Sequence, residues 1–287
     1  MAHLLKSGTT ILRVGNNIFS VRDRFLYTSV IMTTVSSSTR RICYDPTTAN
    51  NRLFITNNSA GTIDVLNATT FATITTITGL SSVQDVAFDV PNNRLYVAAA
   101  SVVVVLNATT YAVITTITGF TDARSITVDP VAANNRVLVG NFQSLLYIID
   151  SATNTVASSI ATTGIFGLAF DPVAANNRFV YSDINNARLF VLNATTFATI
   201  ATITANINTP AQIAFDPVAA NNRFLVMNRD NGSVVQVNSS TYGTGLLPGV
   251  TFVGSTHGIA FDPVSANNRF LIPDTAGYLR AIEQIAI

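Results

Sequence analysis

The side chains best suited to chemistry stand at fixed places around a turn that the chain repeats six times. Each copy opens on Asp followed by Pro, or by Val-Pro in one copy, and reaches Asn-Asn-Arg at Arg52, Arg94, Arg136, Arg178, Arg223 and Arg269. Five and four residues before the turn Asp stand Arg40-Arg41, Gln84-Asp85, Arg124-Ser125, Phe166-Gly167, Ala211-Gln212 and His257-Gly258. Asp122, Asp183, Arg229, Asp230 and Asp274 lie in neighbouring stretches. Paired guanidinium groups are fork-shaped donors, so Arg40, Arg41 and Arg124 suit an anionic or hydroxylated ligand such as an acidic sugar. Gln84, Asp85, Gln212 and His257 complete a candidate ligand-binding set.

Other chemistries fit less well. Metal-dependent hydrolysis needs several carboxylates and amides around one cation. Only Asp85 and, less directly, Asp122 are placed for it, and three Arg oppose a cation. His257 has no second histidine near it except His3, so a histidine metal site is not expected. No Ser stands in a strained elbow with an acid and a base at useful spacing. Phosphate loops, dinucleotide fingerprints and zinc spacings are missing. The expectation is therefore no catalytic residue, no metal and no cofactor.

The repeated Asp and Asn-Asn-Arg have a structural reading. Asp before Pro accepts backbone hydrogen bonds in a turn, and Asn tolerates left-handed backbone. The Arg is expected to pair with an Asp of its own or the adjacent unit. Sequons begin at Asn57, Asn67, Asn107, Asn193, Asn231 and Asn238, mostly where turns are expected, and read as turn chemistry.

Successive repeat Arg are 42, 42, 42, 45 and 46 residues apart, a period that belongs to repeat architectures. Between Asn51 and Asp89 four strand-like segments are bounded by turn residues: Arg52 to Thr56, Thr62 to Leu66, Phe71 to Thr78 and Gln84 to Phe88. They are rich in Val, Ile, Phe and Thr, which suit a pleated, half-buried surface. Nothing sustains a helical apolar period. Four antiparallel strands in about 43 residues make a propeller blade. The expected fold is an all-β, six-bladed β-propeller of four-stranded blades, with the candidate ligand residues at the mouth of its channel.

Phe54-Ile55-Thr56-Asn57, with Tyr96-Val97-Ala98-Ala99, Leu138-Val139-Gly140-Asn141 and Leu225-Val226-Met227-Asn228 as looser copies, resembles the naming tetrapeptide of the YVTN-type β-propeller repeat family. The following GTIDVLNATTFATITTITG is similar to that family's second and third strands. The resemblance covers residues 40 to 287 and implies the fold. Such families serve in adhesion, ligand binding and some enzymes, so it chooses no function.

The last unit stops one strand short, and the spacing places residues 29 to 35 at the missing position. Residues 25–36 are therefore expected to close the ring beside the C-terminal strand, within a propeller of residues 25–287. Residues 1–24 form an arm, with a hairpin of Ile11 to Val14 and Asn17 to Val21 over Gly15-Asn16. The arm packs on its own propeller or docks on a neighbouring subunit.

Composition bounds the partners. Of 287 residues, 48% are hydrophobic and 11% charged, with a net charge of +1, which offers no strong attraction to nucleic acid or anionic lipid. Lys6 is the sole lysine and Glu283 the sole glutamate. Cys43, the single cysteine, has small residues at its repeat equivalents and reads as a buried side chain. No signal peptide or membrane span is expected, which points to a virion or extracellular surface reached by another route, and to the cytoplasm otherwise. The leading expectation is a non-enzymatic structural or adhesive propeller, with a virion component of the phage-tail or capsid-decorating kind as one form of it. Its partners would be subunits of an assembly or a surface receptor or glycan, with homo-oligomers formed through the arm. The alternatives are a soluble ligand- or glycan-binding propeller and a lactonase-like hydrolase.

Overall fold

The computed structural model describes every residue except 1–9, 15, 16, 22–24, 46, 48, 144, 219, 220, 253–256, 263–268 and 287. His3 and the Gly15-Asn16 turn lie outside the described residues.

The chain opens on β1 (Thr10–Val14) and β2 (Asn17–Val21), which pair antiparallel, Val14 opposite Asn17, as a two-stranded sheet of their own. β3 (Phe25–Thr34) follows. The first repeat is β4 (Thr39–Tyr44), β5 (Arg52–Asn57), β6 (Thr62–Asn67) and β7 (Thr73–Ile77), joined in that order in one antiparallel sheet. β8 (Val83–Asp89), β9 (Arg94–Asn107), β10 (Val113–Val128), β11 (Arg136–Asn141), β12 (Leu145–Asp150) and β13 (Thr155–Ala161) form a single six-stranded sheet. Four-stranded order returns with β14 (Ile165–Phe170), β15 (Arg178–Asp183), β16 (Arg188–Asn193) and β17 (Thr199–Ile203). The same holds for β18 (Pro210–Phe215), β19 (Arg223–Asn228), β20 (Ser233–Asn238) and β21 (Thr244–Thr251). β22 (Ala260–Phe261), β23 (Arg269–Pro273) and β24 (Tyr278–Ala286) take β3 as their fourth strand, Ile282 opposite Ser29.

The expected six separate four-stranded blades are corrected by this topology: the propeller has five blade sheets, one of which carries two sequence repeats. The cause is local. The first strand pair of most repeats is broken by polar or Gly turns, such as Asn58 to Gly61. In the second repeat Ala100 takes φ 51° within the run Tyr96 to Val105, and β9 continues through it. β10 likewise runs from an outer position, where Thr115 faces Val105, to an inner one, where Ser125 faces Gly140. The two repeats therefore share their hydrogen-bonded ladder.

The inner strands β4, β8, the second half of β10, β14, β18 and β22 touch in succession, and β22 touches β4, which closes the ring. Between the sheets lie apolar layers, with Leu53, Phe54, Ile55, Tyr96, Phe179, Phe224 and Phe270 among their most buried side chains. Inside the ring is a cavity of about 330 Å³.

The repeated turn explains its own residues. In Asp45, Oδ1 accepts the Thr47 N–H at 2.9 Å, while Oδ2 accepts Asn50 Nδ2 at 2.9 Å and Arg52 Nη2 at 2.7 Å. The second Asn takes left-handed backbone, with φ 46° at Asn51, 50° at Asn93, 44° at Asn135 and Asn177, and 42° at Asn222. Each Arg then reaches the next unit. Arg52 donates to Ala108 O at 2.7 Å and Tyr111 Oη at 2.8 Å, Arg136 to Ala194 O, Arg178 to Ser239 O and Tyr242 Oη, and Arg94 to Ser151 O. Arg223 donates to Tyr27 Oη on β3, and Arg269 lies 5.1 Å from the Phe71 ring of the first repeat. The repeat Arg are clamps between neighbouring units around the whole ring. The carboxamides of Asn67, Asn107, Asn193 and Asn238 accept two backbone N–H groups each in the outer turns.

Candidate functional site

The inner strands carry the candidate ligand residues to the channel end opposite the Asp-Pro turns, and divide them between two depths. Arg41, at the start of β4, is 2% exposed. Its Nη1 donates to His257 O at 2.6 Å, its Nη2 donates to Phe166 O, and its guanidinium lies 4.9 Å from the Phe166 ring. Because Phe166 lies on β14 and His257 just ahead of β22, Arg41 spans the axis and bridges the channel. The close approach it needs is available because Gly258 packs on this backbone, where an added Cβ would stand 2.7 Å from Arg40 O.

Asp85 is fully buried beneath it. Its Oδ1 accepts the Val86 N–H at 2.9 Å, and its Oδ2 accepts Ser125 Oγ at 3.0 Å and the Ile126 N–H at 3.1 Å. Burial holds the Asp85 carboxyl above the usual carboxylate range, against Arg41 and these three donors. Burial likewise brings Arg41 down to about 10, with Asp85 acting in the opposite sense. Gln212 is buried too, its Oε1 accepting the Ile259 N–H at 3.0 Å. Arg41, Asp85 and Gln212 are thus buried, each bonded to a neighbouring inner segment, rather than lining the open mouth expected of them.

The outer layer holds Arg40, Arg124 and Arg229. Arg40 Nη1 donates to Gln84 Oε1 at 3.2 Å. Arg124 Nε is shared between Asp122 Oδ1 at 2.9 Å and Oδ2 at 3.0 Å, and its guanidinium lies 5.3 Å from the Phe142 ring. Arg229 Nε donates to Asp230 Oδ1 at 2.6 Å, and its guanidinium lies 5.6 Å from the Phe166 ring. Burial, then Arg124 and Arg229, lower the pKa of Arg40, which places three cations within one another's field. His257 packs edge-on to Phe166 at 5.7 Å. Burial, then Arg41, Arg40 and Arg229, push it down to about 3 against the pull of Asp230, so it is neutral at pH 7.

The remaining acids of this face are committed elsewhere. Asp183 pairs with Arg188 at 3.1 Å, and Asp274 with Arg280 through Nε. Among the described residues no group of three His, Cys, Asp or Glu is placed to hold a metal ion. Sequence reasoning missed Phe142, whose ring reaches Arg124 only through the fold, and no motif announces it.

A family described as a domain of unknown function, DUF5074, matches residues 33–258. The chain belongs to that family. The family shown is DUF5074, and the propeller fold implied by the resemblance to the YVTN-type repeat is what the DUF5074 chain adopts. It is also similar to a solved structure named Kuenenia stuttgartiensis Hydrazine Synthase, at 16% identity and a TM-score of 0.65, over 85% of this chain and 75% of that one. Likeness at that identity shows the fold alone. No curated protein matches the DUF5074 chain. Among the described residues no helix is long and apolar enough to cross a membrane.

Proposed function

We propose that this chain is a non-enzymatic binding propeller that holds an acidic group of a protein or glycan partner at its Arg-rich mouth. The observation that supports the reading is Arg40, which bonds the neutral amide of Gln84 and sits in the field of Arg124 and Arg229. An incoming carboxylate or sulfate would relieve that repulsion and take guanidinium donors in a partly dehydrated setting. Asp122 and Asp230 each hold one of the other two cations, which keeps the mouth from attracting every anion. Replacing Arg40, Arg124 and Arg229 together by Ala should weaken binding of an acidic oligosaccharide by about tenfold or more, as for loss of charge-assisted bonds. Unchanged binding in a folded triple variant would sink the proposal.

A second reading has support from a separate observation. The β1–β2 hairpin forms its own sheet and joins no blade ladder, as suits an arm that docks on another subunit of an assembly, a virion among the candidates. Its measurement is the solution mass of the full chain against residues 25–287.

A further inference from the structure

We infer that the central cavity is a second binding site, which takes a small, neutral, apolar molecule and is entered from the Asp-Pro turn side. This inference does not rest on the reading of the Arg-rich mouth.

The repeat builds the cavity from three successive residues of each inner strand. The middle one is small in every copy: Cys43, Ala87, Thr127, Ala169, Ala214 and Ala260. A larger side chain at these places would fill the axis, so the volume of about 330 Å³ follows directly from this row of residues. The row nearer the turns is mainly aromatic, with Phe88, Phe170 and Phe215 among its members, and supplies flat apolar walls. At the far end Arg41 bridges the axis through its bonds to Phe166 O and His257 O. Pro172 and Pro217 line the cavity at the turn end, and among the described residues this is the end left for access.

The lining selects the class of ligand. Among the described residues it contains no Asp, Glu, Lys, Arg or His, so a charged ligand would lose its hydration without gaining an opposite charge. The polar groups in the lining, the Thr127 and Tyr44 hydroxyls, the Cys43 thiol and the Gln212 amide, suffice to orient one hydroxyl or carbonyl. The volume lies within the range of small-molecule sites, and apolar cavities of this kind bind aromatic rings.

Indole tests the site directly, because the chain contains no Trp to obscure its fluorescence. Titrated into the full chain, indole should saturate one site with a blue-shifted emission, while benzoate should bind about tenfold or more weakly because its charge is buried unpaired. Ala169→Leu with Ala214→Leu should lower indole affinity by about tenfold by occupying the volume, whereas Arg40→Ala should leave it unchanged. Should the Leu variant fail to fold, alkylation of Cys43 in the unmodified chain decides, since bound indole should slow it. Absence of saturable indole binding, equal affinity for benzoate, indifference to the Leu substitutions in a folded variant, or no protection of Cys43 would each overturn the inference.

Discussion

Arg223 shows what a repeated residue can do beyond its own turn. It is 4% exposed, its Nε donates to Asp216 Oδ2 at 2.8 Å, and Nη1 reaches Tyr27 Oη on the closing strand. Truncating it leaves Asp216 buried with a lost partner. Arg223→Ala should therefore destabilise the fold by about 3–5 kcal/mol in urea unfolding, where Arg40→Ala should change it by under about 0.5 kcal/mol. His257 sets a pH dependence. Its folded value of about 3 lies below its ordinary 6.5, so from 6.5 downward the unfolded chain takes a proton that the folded chain refuses. The groups that face it are Arg41, Arg40 and Arg229, which lower it, and Asp230, which raises it. Stability from this group is complete above pH 6.5 and is lost as pH falls toward 3. His257→Asn should flatten the decline of Tm between pH 6.5 and 4, and a decline as steep as that of the parent chain would assign the effect to the carboxylates instead.

At the scale of elements, β3 carries the largest consequence. It pairs with β24 along its length and places Tyr27 under Arg223, so one strand completes a sheet and receives a clamp from its neighbour. Loss of this strand leaves β24 as an unpaired edge and opens the ring between the last sheet and β21. A chain beginning at residue 37 should melt roughly 10 °C or more below one beginning at residue 25, given about 2–4 °C per kcal/mol for chains of this class. Equal melting temperatures would show that the ring is held without β3. The fusion of β8 to β13 is an element-scale property of another kind. β10 runs without interruption from Val113 through Gly119 and Phe120 to Val128, pairing β9 at one end and β11 at the other, so two repeats become one sheet.

For the whole molecule, a closed ring leaves two ends and an outer wall for partners, and the hairpin pairs as a sheet of its own beside the five blade sheets. Light scattering should find the full chain in an assembly larger than 30.5 kDa and the chain of residues 25–287 as a folded monomer, if the arm docks between copies. Two monomers would leave function to the mouth and the cavity. Much of the architecture was legible beforehand because the repeat Asp, Asn and Arg act locally: an Asp seven residues before an Arg closes its own turn, and the second Asn accepts left-handed backbone wherever it occurs. The strands, the propeller class and the placement of β3 opposite β24 follow from spacing of the same kind. What lay outside local reach was decided in three dimensions. Arg40 and Arg41 are adjacent in sequence, yet one belongs to the outer layer and the other bridges the axis, because strand alternation and the arrival of Phe166 and His257 from distant parts of the chain set their burial. The number of sheets was settled by continuous hydrogen bonding across a repeat boundary, and the cavity by six small side chains that become neighbours only when the ring closes.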